Sequence, residues 1–202
     1  SSSISAIRVS IRFKAFLLDT FGKDGQANQH AKIALHHMLR DLVAARRADP
    51  QDDLISFWSQ LKNDEGELLP EMEVIVFTII VYTGGYDTTM GMLASSTIDL
   101  INHPEHAHRI VHDPDALYPG IEELLRRNTP TQRGFRRFAT EDMEIAGQQI
   151  SAGDTVMLYV AAASRDPERF PDPDAMDFSR HKNWHIAFGR GPHVCPGSEL
   201  AR

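Results

Sequence analysis

The sequence contains a single cysteine, and its neighbours suggest a reason for it. Cys195 lies in the stretch FGRGPHVCPG, residues 188–197, which holds three glycines and two prolines. A lone thiol most often packs as a small apolar group. A cysteine nucleophile would need a nearby base, and a structural zinc site would need further thiols. Glycines at positions 191 and 197 instead allow close approach to the backbone around the sulfur.

This setting suits one thiolate bond to a metal that another group already holds. Haem is such a case, because the macrocycle supplies four nitrogens and the protein supplies one thiolate. His193 adds a donor that can carry charge, and Phe188 adds an aromatic face. The loop therefore predicts a haem-thiolate bond at Cys195.

A second group of polar residues lies in TGGYDTT, residues 83–89, inside a predicted long helix. A glycine pair in a helix can be a simple flaw that costs about 1 kcal/mol per glycine. The apolar run VIVFTIIVY, residues 74–82, precedes it, so we expect the segment to lie deep in the fold. Gly84 and Gly85 would then permit a helix bulge, with the Asp87 carboxylate and the Thr88 hydroxyl beside it.

Glu123 and Arg126, in EELLRR, are three residues apart on one helical face. A local ion pair is the simplest interpretation, and on a surface it would contribute less than about 1 kcal/mol.

Together, and in this order, the three groups resemble the cytochrome P-450 family of haem-thiolate monooxygenases. The match is to F-x-x-G-x-x-x-C-x-G at 188–197, to [A/G]-G-x-[D/E]-T-T at 84–89, and to E-x-x-R at 123–126. RDPERFPDPDAMDFSR, residues 165–180, looks like the meander loop of the family. The resemblance covers about residues 28–202 and is to soluble bacterial members.

The resemblance implies a haem b cofactor bound at the cysteine loop. Cys195 would be the proximal iron ligand, with Phe188 packed near the haem on that side and His193 paired with a propionate. A second propionate partner would be Arg137, counting back from FATEDMEIAG, or Arg136, counting forward from the E-x-x-R helix. The one-residue difference leaves both open.

For catalysis, the resemblance implies that Thr88 hydrogen-bonds dioxygen and that Asp87 helps relay protons. Gly85 would sit at the helix bulge where oxygen fits. Glu123 and Arg126 would form a structural network with Arg180 of the meander.

The implied activity is hydroxylation of a small or medium organic substrate with dioxygen. Electrons would come from NAD(P)H through a ferredoxin-type iron–sulfur partner, and Arg180, Lys182 and Arg190 are candidates to attract its acidic surface. Tyr82 and Tyr86 are candidate pocket residues. The alternative is a haem-free relative that acts by binding as a helper protein, or an inactive fragment, because family members are about twice this length.

Composition fits this interpretation. The chain has 202 residues, a net charge of −7, 42% hydrophobic residues and 24% charged residues, which does not favour a nucleic-acid binder. One cysteine excludes an internal disulfide and fits a reducing compartment. The longest apolar run is too short to cross a bilayer and the sequence shows no signal peptide, so a cytoplasmic protein without a membrane partner is expected.

The elements predict a mainly α fold with a small antiparallel β part, the C-terminal half of a cytochrome P-450-like fold. The whole chain, 1–202, would be one partial domain, truncated at both ends, with 1–27 unplaced. A weak strand is predicted around 7–13. Helices are predicted at about 28–47, 52–61 (capped by Asp52), 70–101, from Pro104, and at 115–127, with short strands over 135–160.

Overall fold

The computed structural model describes residues 25–202, so the strand predicted around residues 7–13 lies outside the described residues. Seven α-helices and four short strands follow one another in this part of the chain. The helices are α1 Gly25–Ala48, α2 Leu54–Gln60, α3 Glu71–Asn102, α4 Pro104–His112, α5 Pro114–Arg127, α6 Val160–Ala163 and α7 Ser198–Ala201; the strands are β1 Arg137–Phe138, β2 Met143–Ile145, β3 Gln148–Ile150 and β4 Thr155–Val156.

The chain divides into two compact units, Ser1–Gly84 and Gly85–Arg202. The boundary falls between the two glycines of the TGGYDTT segment, within the bounds of α3. No helix among residues 25–202 is long and apolar enough to cross a membrane.

In the first unit, α1 and the start of α3 share a small apolar core. Leu35, Leu39 and Val43 recur every four residues along α1, and they pack with Val74 and Ile75 of α3. All five side chains are buried. The core of this unit is therefore built by the helical periodicity that predicted α1.

The cap of α2 differs by one residue from the prediction. Asp53, not Asp52, precedes the first helical residue, and its Oδ1 accepts a hydrogen bond from the Ser56 amide at 2.8 Å. Arg46 Nε donates to Asp53 Oδ2 at 2.6 Å. Two adjacent aspartates look alike in sequence, and the partner at the end of α1 distinguishes them.

In the second unit, both proline-opened helices begin where they were predicted. Pro104 and Pro114 occupy the first turns of α4 and α5, and Asp113 caps α5 through the Asp115 amide at 3.1 Å. The core of this unit contains buried residues of α5 and of the following meander: Ala116, Leu124, Met176 and Phe178.

The strands form two small antiparallel pairs, β1 with β4 and β2 with β3. Ala146 and Gly147 join β2 to β3 with φ of 50° and 79°, as a two-residue hairpin turn requires. The predicted fold class, mainly helical with a small antiparallel part, is confirmed. The last predicted strand ends early, because Val160 begins α6.

The prediction that TGGYDTT lies deep in the fold is wrong for this chain. Gly84, Gly85 and Asp87 are exposed, while Tyr86 and Thr88 are half-buried. The described residues bury α3 mainly near its start, whereas large apolar side chains further along remain open, including Ile80 at 59%, Met90 at 54% and Leu93 at 60% exposure. An apolar run predicts burial only where packing partners exist.

Candidate functional site

The cysteine loop is closed by its own backbone. The Cys195 amide donates to the Phe188 carbonyl oxygen at 2.9 Å, and the Val194 amide donates to the Gly191 carbonyl oxygen at 3.1 Å. Gly191 has φ of 79°, a conformation that other residues adopt only with strain, and it begins a 3₁₀ turn that ends at His193. The glycine is thus required by the turn that presents the cysteine.

Cys195 is a half-buried residue and forms no disulfide. A Cβ added at Gly197 would lie 4.0 Å from Sγ, so glycine at this position leaves one side of the sulfur open. His193, two residues before the cysteine, is exposed. The loop therefore presents a thiol and a nearby imidazole on an accessible surface.

A shared carboxylate joins this loop to α5. Glu122 Oε1 accepts from Arg202 Nε at 2.6 Å, and His185 Nε2 lies 3.2 Å from Glu122 Oε2. The Arg202 guanidinium carbon is 4.6 Å from the centre of the Phe188 ring. Burial raises the pKa of Glu122, but the interactions with His185 and Arg202 outweigh it and hold that pKa below its usual value.

Sequence reasoning missed these three contacts. Glu122 directly precedes the glutamate of the E-x-x-R pattern, and His185 lies three residues before Phe188. Neither spacing carries a signal by itself, since the partners are 63 and 80 residues apart in the chain and meet only after folding.

Glu123 is the acceptor at the centre of a buried network. Arg126 donates from Nε to Oε2 and from Nη2 to Oε1, both at 2.8 Å, and both side chains have 0% exposure. Arg180 Nε donates to Oε1 at 3.0 Å, Asn183 Nδ2 to Oε2 at 3.0 Å, and the Asp177 amide to Oε1 at 3.1 Å. The structure brings Glu123, Arg126 and Arg180 together. The Glu123–Arg126 ion pair is buried, not on the surface as spacing alone suggests.

The two arginines also hold the meander through its carbonyl oxygens. Arg126 Nη2 donates to the Ala175 carbonyl at 3.3 Å, and Arg180 donates to the carbonyls of Pro171 and Asp172 at 2.7 and 2.6 Å. The side chain of Arg180 is only 10% exposed. The expectation that Arg180 attracts a partner protein is therefore wrong, because its donors are already used inside the fold.

Asp87 and Thr88 line a cleft of about 410 Å³ in the second unit. The facing wall comes from the end of α5 and the loop after it. Among the described residues, those that line this cleft do not include Cys195 or His193. The lining residues are Asp87, Thr88, Gly91, Ser95, Arg127, Asn128, Thr129, Pro130, Gln132, Ala161 and Arg165.

Asp99 fixes the α5 side of this cleft. Its Oδ2 accepts from Arg127 Nε at 3.1 Å and from Asn128 Nδ2 at 2.8 Å. Burial raises the pKa of Asp99. Hydrogen bonds from Arg127 and Asn128, together with the charges of Arg127 and His103, lower this pKa by more than burial raises it. The net pKa lies below the usual value, so the carboxylate stays charged at neutral pH.

The remaining predicted residues lie on or near the surface. Arg136 and Arg137 are exposed at the start of β1, and Arg137 Nη1 reaches the carbonyls of Phe135 and Arg136 at 3.4 Å. Tyr82 and Tyr86 are half-buried. Gly85 lies within the bounds of α3, and its bulge stays a prediction. Within residues 25–202, no group of three or more His, Cys, Asp or Glu side chains could hold a bare metal ion.

The fold and the cysteine loop define a mainly helical protein with one presented thiol. The family profile named Cytochrome P450 matches residues 3–202, a longer stretch than the motifs had indicated. The chain belongs to the cytochrome P450 family.

Bacterial proteins are among its curated relatives. It is 33% identical over 168 residues to the vitamin D(3) 25-hydroxylase of Pseudonocardia autotrophica, covering 83% of this chain and 42% of the relative. It is 39% identical over 163 residues to the biotin biosynthesis cytochrome P450 of Bacillus subtilis strain 168, covering 81% and 40%. The chain thus spans less than half the length of these relatives.

A solved structure shares the fold. The bacillaene polyketide synthase cytochrome P450 PksS of Bacillus subtilis 168 superposes with a TM-score of 0.85 at 29% identity, covering 94% of this chain and 50% of that one.

The family implies haem, and the residues present fit it. Cys195 is half-buried, and its sulfur has an open side at Gly197, where a Cβ would approach to 4.0 Å. The exposed imidazole of His193 and the exposed guanidinium groups of Arg136 and Arg137 are suited to haem carboxylates.

Proposed function

We propose that this chain forms the haem-thiolate part of a bacterial monooxygenase that hydroxylates a small or medium organic substrate. The cysteine loop carries this proposal. The loop is closed at Phe188, Gly191 has a left-handed conformation and Cys195 is only half-buried, so the loop presents one thiol rather than hides it. Bound haem b would supply the oxygen-activating redox chemistry, and the protein would supply binding, orientation and protons.

The residues that hold the cofactor follow from this proposal. Cys195 would be the iron ligand, Phe188 would pack beside the haem, and His193 with Arg136 or Arg137 would pair with its carboxylates. The buried network at Glu123 acts at a distance from the thiol, by fixing the segment that leads into the loop. It positions the loop and takes no part in the chemistry.

Proton delivery is assigned to α3. The Asp87 carboxyl group is exposed, whereas Thr88 is half-buried at the same cleft and holds a hydroxyl one residue further along. An exposed acid beside a shielded hydroxyl can pass protons inward from solvent. Water reaches this pair through a cleft of about 410 Å³.

Electrons would reach the site from NAD(P)H through an acidic ferredoxin-type protein in the cytoplasm. With Arg180 committed to the buried network, Lys182 and Arg190 are the exposed cations near the loop that remain for this contact. Lys182 lies 5.8 Å from the ring of Trp184, which is 57% exposed. A surface of cations and an aromatic ring suits a transient redox partner.

The carbon monoxide difference spectrum tests the proposal. The purified chain is given haem, reduced and exposed to carbon monoxide, and a red-shifted band of the thiolate type is expected. Cys195→Ser should abolish that band, while Ser198→Ala, at the first residue of the helix that follows the loop, should keep it. Absence of haem uptake by the unaltered chain, or a band indifferent to Cys195→Ser, would overturn the proposal.

The competing proposal is a haem-free binding protein or an inactive fragment. The exposure of Ile80, Met90 and Leu93 on α3 favours it, because open apolar side chains of this kind also serve protein contacts. The two proposals differ in haem uptake, so the carbon monoxide difference spectrum of the haem-treated chain decides between them.

A further inference from the structure

One carboxylate connects α5 to the cysteine loop from two directions. Glu122 is 14% exposed and lies on α5 beside the buried Glu123. Arg202 Nε donates to Oε1 at 2.6 Å, and His185 Nε2 approaches Oε2 to 3.2 Å. The His185 side chain is only 2% exposed, so this contact is shielded from water.

A hydrogen bond from the Ala187 amide indicates which ring nitrogen of His185 carries the proton. The Ala187 amide donates to His185 Nδ1 at 3.2 Å, so Nδ1 acts as an acceptor and the ring proton is on Nε2. His185 Nε2 lies 3.2 Å from Glu122 Oε2 without completing a hydrogen bond, so Arg202 donates the hydrogen bond and His185 is a close buried neighbour. The Glu122 carboxylate gives Arg202 an acceptor of opposite charge, whereas a glutamine amide would lose that charge and would place its NH₂ against Arg202 or His185.

The two partners flank the residue that closes the loop. Arg202 stacks over the Phe188 ring at 4.6 Å, and the His185 and Phe188 ring centres are 6.3 Å apart. The Phe188 carbonyl in turn accepts from the Cys195 amide at 2.9 Å. Movement of Phe188 would release the bond that presents the thiol.

We infer that Glu122 is a positioning residue for the cysteine loop, acting through His185 and Arg202 on Phe188 and hence on the Cys195 thiol. The importance of the thiol rests on the proposed function, but the positioning itself does not. No direct contact of Glu122 with a cofactor is involved.

The reactivity of the only thiol measures this positioning without haem. A disulfide reagent such as dithiobis(nitrobenzoate) is reacted with the folded 202-residue chain, in which Cys195 is the sole target. We expect Glu122→Gln to raise the rate about tenfold, equivalent to about 1.4 kcal/mol, because the loop opens more often. Glu199→Gln is the matched control, since Glu199 also pairs with Arg202 but is 90% exposed, and its rate should stay unchanged.

A second pair of variants serves if Glu122→Gln does not fold. Arg202→Gln removes the charged partner of Glu122 and should raise the labelling rate. Arg202→Lys keeps the positive charge, and its labelling rate should remain closer to that of the unaltered chain. An unchanged rate in Glu122→Gln, or in Arg202→Gln, would overturn the inference, as would an equal rise in Glu199→Gln. Failure of the proposed function appears separately, as absence of the thiolate band in the unaltered chain.

Discussion

Arg126 and Glu123 form a two-point ion pair in which neither side chain is exposed to solvent. Nε and Nη2 of the arginine each donate at 2.8 Å to a different oxygen of the carboxylate. Burial of two charges is costly unless their hydrogen bonds are satisfied, and here three further donors reach Glu123. The pair therefore depends on the meander that encloses it.

Glu123→Gln should destabilise the fold strongly. The amide keeps one acceptor oxygen but places its NH₂ against the donors that now reach the other oxygen, and the buried Arg126 guanidinium loses its counter-charge, at a cost of about 3–5 kcal/mol. Urea unfolding followed by circular dichroism measures the change. Glu199→Gln, which removes a 90% exposed carboxylate, should cost less than about 1 kcal/mol. Similar unfolding midpoints for the two variants would contradict the buried-network interpretation.

The Asp99 carboxylate should make stability depend on acid pH. Its pKa in the folded chain lies below the ordinary 3.8, so the contribution is fully present above that value and is lost as pH falls through the lower folded pKa. Asp99→Asn should lower stability at pH 7 and flatten the acid limb of the stability curve. Asp174→Asn removes an arginine-paired carboxylate that is 85% exposed and should leave both unchanged. An acid limb equally steep in Asp99→Asn would be inconsistent with this role.

Local signals predicted much of the fold. The apolar spacing of Leu35, Leu39 and Val43 gave α1, and prolines at 104 and 114 gave the starts of two helices. These signals act over one or two turns and need no distant partner. The Asp52 cap and the length of the last strand were missed because the deciding contacts come from other elements.

The site was predicted in part, for the same reason. Cys195, Glu123 and Arg126 stand out by residue type and spacing, whereas Glu122, His185 and Arg202 do not. The prediction that Asp87 is buried is wrong because the apolar run before it indicates only a tendency to be buried. Burial also requires other residues that pack against the same face of the helix. For Gly191 the sequence indicates only that the backbone can be approached closely. The positive φ of this residue is visible only in the structure.

Gly191→Ala should strain the cysteine loop without a steric clash. No atom of the described residues lies within 4 Å of the added Cβ, so the cost comes from φ of 79° and is about 1–2 kcal/mol. We expect faster labelling of Cys195 and a smaller thiolate band. Gly66→Ala, at φ of 83° in the other unit, imposes the same backbone strain and should change neither reading. If both variants changed the labelling rate of Cys195 and the thiolate band, the cause would be general destabilisation of the fold and not strain in the cysteine loop.

Thr88→Ala tests the proton-delivery role proposed for α3. Removal of the hydroxyl leaves Asp87 and the cleft in place but interrupts the path from solvent. In the haem-loaded chain with a reducing partner and a substrate selected by its shift of the haem absorption band, reductant should still be consumed. The fraction of electrons that appears in product should fall, with hydrogen peroxide released instead, by about a hundredfold if the proton step has the usual magnitude.

Thr89→Ala is the matched control for this measurement, because Thr89 has the same side chain one residue further along and is exposed. It should leave the ratio of product to electrons unchanged. Equal ratios in Thr88→Ala and the unaltered chain would show that the hydroxyl does not deliver protons. A loss shared by both threonine variants would assign the effect to the helix rather than to Thr88, and the role would then pass to the Asp87 carboxylate and water in the cleft.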